Sequence, residues 1–387
     1  MANSEAERLF PAESRAEERE ATASGIKTIC NRESRGQNDT LIYVVNYEDN
    51  KGFALISAVD DSQPVLAVVP NGSYDPEIGT DNPGFNLFMD AATYNALNDT
   101  TKKRDPVIDP DYPININGKY EKTVKKEVVH YGPAKRISAP FHWGQDDIYG
   151  QFCPNGLCGC APLAIASIVT WARYHYEMDS RFYYTYPNAD IPYEDITWIE
   201  IMRHHSSKYS YGNEWSIEHV CWAEDQDAVH KSIGRICRQI GYDMNANYKF
   251  DPHATSVIRG IAHRYLKQYI PELVITIGDF DGFRQMQLID KGILYLEAAL
   301  KDDFSNGHSW VCDGYDYIKT EVKKYEADPP APGLNLSWQL VSTTYEEKML
   351  SYMRWGWHGI YDGWYASKVL EPGEYSFVST KYVAVCD

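Results

Sequence analysis

Residues 159–168 read Gly-Cys-Ala-Pro-Leu-Ala-Ile-Ala-Ser-Ile and place a cysteine at the start of a predicted helix. Pro162 follows Cys160 by two residues, and small and apolar residues then recur at helical spacing. Because proline is favoured in the first turn of a helix, the pattern places Cys160 in that turn. Free N–H groups and the positive end of the helix dipole favour an anion there. The sequence therefore predicts a lowered thiol pKa for Cys160 and a usable nucleophile near neutral pH.

His308 is the candidate partner of this thiol. It lies 148 residues after Cys160, follows Gly307 and precedes the strand-like run Trp310-Val311-Cys312. A cysteine followed about 130–150 residues later by a histidine is the spacing of papain-like thiol proteases. The pair predicts a cysteine endopeptidase, in which His308 holds the thiol proton and later donates it to the leaving amine.

The other cysteines offer weaker alternatives. Cys153 and Cys158 form a C-x4-C-x-C pattern with Cys160, which lacks a C-x2-C pair and a second ligand pair nearby, so zinc is disfavoured. Eight cysteines in 387 residues are sparse for a disulfide scaffold. We expect no metal and no cofactor. The scattered cysteines are expected to be buried free thiols: Cys30, Cys221, Cys237, Cys312 and Cys386.

Charge and hydropathy restrict the functional classes. The net charge of −18 opposes binding to nucleic acid and to anionic membranes. No apolar run reaches the roughly 18 residues of a membrane-spanning helix. The first residues, Met1-Ala2-Asn3, lead directly into a polar, acidic stretch with no signal peptide. We therefore expect either a cytoplasmic protein or an exported one whose signal has been removed.

The pattern of apolar residues divides the chain into two regions. Between Thr28 and Val69, short β-rich runs alternate with turn residues, and Phe85 to Leu97 then has helical spacing. Residues 98–140 are polar and rich in Pro and Lys, which predicts an exposed linker open to proteolysis. From residue 141 onward helices precede antiparallel strands, an α+β order that would place Cys160 and His308 across a cleft. The basic residues at which the linker could be cut are Lys125, Lys126, Lys135 and Arg136.

Four motifs follow one another in colinear order along the chain. They are Trp143-Gly144-Gln145 with Tyr149 and Cys153-Pro154; the Cys160 helix ending in Tyr174-His175; Gly307-His308-Ser309-Trp310 with Asp313-Gly314; and Trp355-Gly356-Trp357-His358-Gly359 with Asp362-Gly363. Together they resemble the streptopain family of papain-like cysteine peptidases. Asn82-Pro83-Gly84 and residues 52–58 are also similar to the propeptide of such enzymes from Bacteroidetes. The match therefore covers nearly the whole chain.

The resemblance implies an exported zymogen of α+β fold. Residues 1–125 would form an inhibitory prodomain of an antiparallel sheet plus helices, and residues 126–140 an activation linker. Residues 141–387 would form a papain-like catalytic domain whose helical part faces an antiparallel sheet. The protein would be secreted, periplasmic or at the cell surface. Its expected partners are protein or peptide substrates, its own prodomain and a propeptide-like inhibitor protein.

The resemblance also implies roles for individual residues. The Cys160 N–H and the Gln145 side-chain amide, fifteen residues earlier, would stabilise the oxyanion, and one such donor contributes about 3 kcal/mol in the transition state. Trp355 would shield or orient His308. The segment from Tyr248 to Ser256 aligns with a loop of the family's substrate site. The tentative substrate-binding residues are Trp357, Ser256 and Thr255.

Two positions depart from the family pattern. Arg354 stands where the family has an asparagine able to orient the imidazole, and His358 replaces a glycine. An arginine beside an imidazolium would be repulsive by about 1 kcal/mol or more. We therefore expect Arg354 to point to solvent, with a backbone carbonyl or Trp355 positioning His308. The alternative is a catalytically weakened or inactive relative that acts as a peptide- or protein-binding module.

Overall fold

The structure is a computed structural model. It describes residues 23–30, 40–59, 64–99, 118–137, 142–203, 226–251, 254–301, 307–329, 335–372 and 378–386. The helices are α1 Pro83–Asp99, α2 Asp147–Gly150, α3 Cys160–His175, α4 Trp198–Arg203, α5 Gln226–Asp243, α6 Ala262–Tyr269, α7 Gly282–Ile289 and α8 Ser367–Leu370. The strands are β1 Ala23–Cys30, β2 Thr40–Tyr47, β3 Phe53–Ser57, β4 Val65–Val69, β5 Tyr120–Lys135, β6 Arg181–Tyr183, β7 Tyr193–Asp195, β8 Asn247–Asp251, β9 Ala254–Ser256, β10 Val274–Asp279, β11 Gly292–Leu300, β12 Gly307–Ala327, β13 Gln339–Arg354, β14 Gly363–Ala366 and β15 Val378–Cys386.

One antiparallel sheet of eleven strands joins the N-terminal and C-terminal regions. Its order is β1-β2-β3-β4-β14-β13-β12-β11-β15-β10, and β5 pairs with β12. The link between the two regions is the β4–β14 pair, in which Trp364 lies opposite Val68 and Tyr365 opposite Ala67. The region predicted to be a prodomain therefore shares a sheet with the region that carries His308.

The sheet lies between two hydrophobic cores. The face on which His308 lies therefore decides which helix covers it. Trp310 packs in one core with Phe85 and Phe88 of α1, whereas Val311 packs in the other with Ile165 of α3. Successive side chains of a strand point to opposite faces of the sheet. His308 therefore shares the face of Trp310, on which α1 packs.

Helix α3 begins at Cys160, as the sequence predicts. Gly159, the residue before it, has φ +91°, a left-handed conformation that glycine adopts without a steric penalty. Residues 161–172 are all buried, and a helix that is apolar on every side is expected to lie inside a core. Burial of this helix therefore fixes the position of Cys160.

Part of the predicted linker is a paired strand. Residues 120–135 form β5, which runs antiparallel to β12 with Lys126 opposite Glu321 and Lys135 opposite Gly314. This segment contains both lysines and β-branched residues such as Val124 and Val129, a composition that suits an edge strand. Residues 126–135 are thus hydrogen-bonded rather than an open loop, and residues 138–140 lie outside the described part. Cleavage in this segment stays a prediction.

Candidate active site

The structure brings Cys160 and His308 together. The His308 ring and the backbone N–H groups of Ser309 and Ala161 lie close enough to the Cys160 sulfur to stabilise its thiolate. Burial raises the pKa of the Cys160 thiol, but these groups and the charge of His308 outweigh burial and bring the pKa below its ordinary value. The arrangement favours the thiolate form of Cys160.

A backbone carbonyl orients the His308 ring. Its Nε2 lies 2.7 Å from the carbonyl oxygen of Trp355, which leaves Nδ1 as the ring nitrogen for Cys160. The ring also stacks on Trp310, with centroids 6.1 Å apart and planes 10° apart. Trp355 is itself fixed, because its backbone N–H donates to Asp362 Oδ1 at 2.8 Å and its indole N–H to the Tyr361 carbonyl at 3.0 Å. Trp355 thus contacts His308 through its main chain.

Arg354 does not point to solvent, and that prediction is wrong. Its side chain is buried and forms a double ion pair with Asp313, Nε to Oδ1 at 3.0 Å and Nη2 to Oδ2 at 3.2 Å. Burial lowers the pKa of Arg354, but the Asp313 carboxylate more than offsets this and raises it. Ile137 bonds to both partners, its N–H to Asp313 at 3.0 Å and its carbonyl to Arg354 at 2.8 Å. The Asp313 carboxylate therefore neutralises the positive charge of Arg354.

Gln145 is bonded to the segment that leads into Cys160. Its carbonyl oxygen accepts the Cys158 N–H at 2.9 Å, two residues before Cys160, and its side chain is half-buried. A cavity of about 20 Å³ adjoins Cys160 and is lined in part by Trp143, Leu163 and Ser309. That volume is enough for a water molecule.

The three predicted substrate-binding residues lie in different local settings. Thr255 packs on Gly159, where an added Cβ would lie 3.1 Å from it, and its hydroxyl donates to the Leu157 carbonyl at 2.9 Å. Ser256 pairs with Asn247 in the β8–β9 ribbon. Trp357 is half-buried in the loop after Trp355, and its carbonyl accepts the Ile360 N–H at 3.0 Å.

The start of α1 packs directly on His308 and Trp355, which the sequence did not indicate. Asn82 caps the helix by accepting the Phe85 N–H at 3.0 Å, and its amide donates to the Ile360 carbonyl at 2.7 Å. A Cβ added to Gly84 would lie 2.7 Å from His308 Cδ2 and would overlap the Trp355 ring. The missing side chain therefore lets the helix start rest on His308.

Burial disfavours the thiolate form of three other cysteines in the described residues. Burial raises the pKa of the Cys153 thiol to about 12, and it also raises the pKa of Cys158 and of Cys312. Within the described ranges, no group of three or more His, Cys, Asp or Glu side chains is placed to hold a metal ion. Cys221 lies outside those ranges.

Comparisons with known proteins support the resemblance. The peptidase C10 family matches residues 143–365, more than half of the chain, and the Spi protease inhibitor family matches residues 1–96. No curated protein matches. Among solved structures, a fragment of Prevotella intermedia prointerpain A is 18% identical with a TM-score of 0.52, covering 93% of this chain and 98% of that chain. Active interpain A, a cysteine protease of the same organism, is 16% identical with a TM-score of 0.39, covering 66% of this chain and 98% of that chain. The first likeness, together with the mixed helices and large antiparallel sheet, confirms the predicted α+β fold.

Proposed function

The chain belongs to the peptidase C10 family, and from that premise we propose that Cys160 is its nucleophile and His308 its acid–base partner. The protein is a cysteine-type endopeptidase in zymogen form, with an inhibitor-type region ahead of the peptidase region. The observation that carries the proposal is the placement of His308 beside Cys160, where the ring lowers the pKa of the thiol against the effect of burial.

Hydrolysis would proceed in two steps. The Cys160 thiolate attacks the scissile carbonyl carbon, and the backbone N–H of Cys160 and the Gln145 amide stabilise the oxyanion. His308 then donates its proton to the leaving amine, and water, deprotonated by the same ring, hydrolyses the thioester. Because its Nε2 is bonded to the Trp355 carbonyl, His308 keeps Nδ1 towards the sulfur throughout.

Arg354 gives little support to the alternative of a silent binding module. That alternative depends on a charge that repels the His308 imidazolium. The buried carboxylate of Asp313 pairs with both nitrogens that Arg354 presents to it. The net charge beside the imidazolium is thereby close to zero, so Arg354 gives no reason for weakened catalysis.

The N-terminal region would inhibit the enzyme by covering His308. Gly84 at the start of α1 contacts the ring, and Asn82 bonds the loop after Trp355. The substrates would be proteins or peptides. A separate propeptide-like inhibitor protein would have to reproduce these same contacts. Thr255, Ser256 and Trp357 would line the substrate groove once α1 leaves.

Activation would require cleavage between the two regions, in the segment proposed to run from residue 126 to residue 140. Lys125 pairs with Glu346 at 2.9 Å, and Lys135 lies over the Tyr352 ring at 4.5 Å. The Arg136 N–H donates to the Asp313 carbonyl at 2.8 Å. A protease would therefore have to open β5 locally before cutting after Lys125, Lys126, Lys135 or Arg136.

We place the protein outside the cytoplasm, as a secreted, periplasmic or cell-surface enzyme. Among the described residues, no helix combines the length and the apolarity that crossing a membrane demands. Fractionation of the producing cells tests the location.

The pH dependence of Cys160 alkylation tests the proposed pair. Iodoacetamide should label Cys160 at pH values below those at which an ordinary thiol reacts, because its pKa is lowered. In His308→Ala the effect of burial on the thiol is opposed only by the backbone N–H groups of Ser309 and Ala161, so the pKa should rise and labelling at pH 6.5 should slow by about tenfold or more. Peptide mapping by mass spectrometry measures the rate. Equal rates in both chains would contradict the pair.

Gly84→Val should weaken the hold of the N-terminal region on the catalytic pair. The valine side chain would overlap His308 and Trp355, and such overpacking costs roughly 1–3 kcal/mol. We expect trypsin to release the N-terminal fragment at least about fivefold faster than from the parent. The matched control is Gly25→Val, whose added Cβ meets nothing within 4 Å. Equal release from both variants would contradict the inhibitory contact.

A further inference from the structure

Two loops that serve different catalytic groups lie side by side. The glutamine loop, residues 142–146, carries Gln145, and the tryptophan loop, residues 355–362, carries the carbonyl that orients His308. His358 N–H donates to the Trp143 carbonyl at 2.9 Å, and His358 Nε2 bonds the Asp146 carboxylate. The two loops are therefore joined through one residue, His358.

A second pair joins the same loops at their other ends. His142 Nδ1 lies 3.4 Å from Asp362 Oδ2. The other oxygen of Asp362 accepts the Trp355 N–H at 2.8 Å. A displacement of the glutamine loop would thus also displace Trp355, whose carbonyl holds His308.

His358 occupies an unusual conformation for a buried histidine. Its φ is +56°, in the left-handed region that favours glycine, and only 5% of the residue is exposed. Such a conformation persists in a non-glycine residue when its surroundings hold it. The ring fills the space that a Gly144 side chain would need, and Asp146 supplies the partner that a buried polar ring requires. The residue with this backbone conformation is thus also the residue whose side chain bonds Asp146 of the other loop.

We propose that His358 is a positioning residue, whose bond to Asp146 holds the oxyanion donor Gln145 in place. Gln145 is then fixed on two sides, by the Cys158 N–H on its own carbonyl at 2.9 Å and by the bond of its neighbour Asp146 to His358. A hydrogen bond between a histidine and a carboxylate is charge-assisted and directional. Small displacements of an oxyanion donor are costly, since loss of one donor lowers kcat by about 10²–10³-fold.

The proposal rests on the proposed function, in which Cys160, His308 and Gln145 are the catalytic residues. The experiment distinguishes failure of the His358 role from failure of that assignment. Three measurements are made on the trypsin-nicked full chain. They are kcat and KM for a peptide substrate, the affinity for a peptide aldehyde, and the rate of Cys160 alkylation by iodoacetamide. The aldehyde forms a tetrahedral adduct whose oxygen occupies the oxyanion position, whereas alkylation needs only the thiolate and His308.

His358→Gly should lower kcat about 10- to 100-fold and weaken aldehyde binding by a similar factor. KM and the alkylation rate should stay within about twofold of the parent. Asp146→Asn keeps the shape of the side chain and should also lower kcat. It provides the test if the His358→Gly chain does not fold. The matched control is Asn188→Gly, an exposed residue with φ +64°, which should change none of these values.

Two results would overturn the positioning role. One is parental kcat and aldehyde affinity in both loop variants. The other is an equal loss of alkylation rate and hydrolysis, which would indicate general damage to the site. Failure of the underlying assignment has a different signature, since the unsubstituted chain would then hydrolyse peptides independently of Cys160.

Discussion

Replacing Cys160 with alanine is expected to abolish peptide hydrolysis and self-cleavage, lowering kcat by at least about 10⁴-fold. No other described group near His308 can form the thioester, because burial raises the pKa of the neighbouring thiols Cys153 and Cys158. Loss of the nucleophile in a hydrolase that works through a covalent intermediate leaves only the rate due to binding and the oxyanion donors. Casein hydrolysis, and the persistence of the full-length chain on a gel over time, measure both activities.

The matched control is Cys153→Ala. Its thiol lies in the same segment but has a pKa raised to about 12, so this variant should keep its activity within about threefold. A Cys160→Ala chain that still matures unaided would contradict the assignment of the nucleophile.

Asp313→Ala should cause the largest loss of stability of any single change considered. It leaves the buried Arg354 guanidinium without its counter-ion and the Ile137 N–H without its acceptor. Breaking a buried pair by removing one partner typically costs 3–5 kcal/mol. We expect the free energy of unfolding, measured in urea on the inactive Cys160→Ala background, to fall by about that amount.

Two controls separate the buried charge from general effects. Glu346→Ala removes the exposed pair with Lys125 and should cost no more than about 1 kcal/mol. The double variant Asp313→Leu/Arg354→Met removes both charges and should regain most of the loss. A fall of less than about 1 kcal/mol in Asp313→Ala would show that the pair is not buried as described.

Local patterns made the position of Cys160 at the start of a helix predictable. The proline after Cys160, the small residues that follow and the glycine before it are all consecutive in sequence. Each has a local physical effect on the start of a helix. The strand that carries His308 was likewise evident from its own apolar residues.

Long-range pairs were not predictable in this way. Arg354 meets Asp313 because the β12–β13 register places Arg354 opposite Val311, and a single sequence does not specify that register. His358 and Asp146 lie 212 residues apart. Gly84 contacts His308 because both regions share one sheet, which brings the start of α1 to the ring. The described residues 120–135 of the predicted linker form a strand because β12 extends far enough to pair with them.

The most direct test is titration of the trypsin-nicked chain with an epoxysuccinyl peptide inhibitor, followed by peptide mapping. We predict that hydrolysis falls in proportion to the label on Cys160 and vanishes at one label per chain. Full labelling of Cys160 with undiminished hydrolysis, or complete inhibition with the label on another cysteine, would contradict the account.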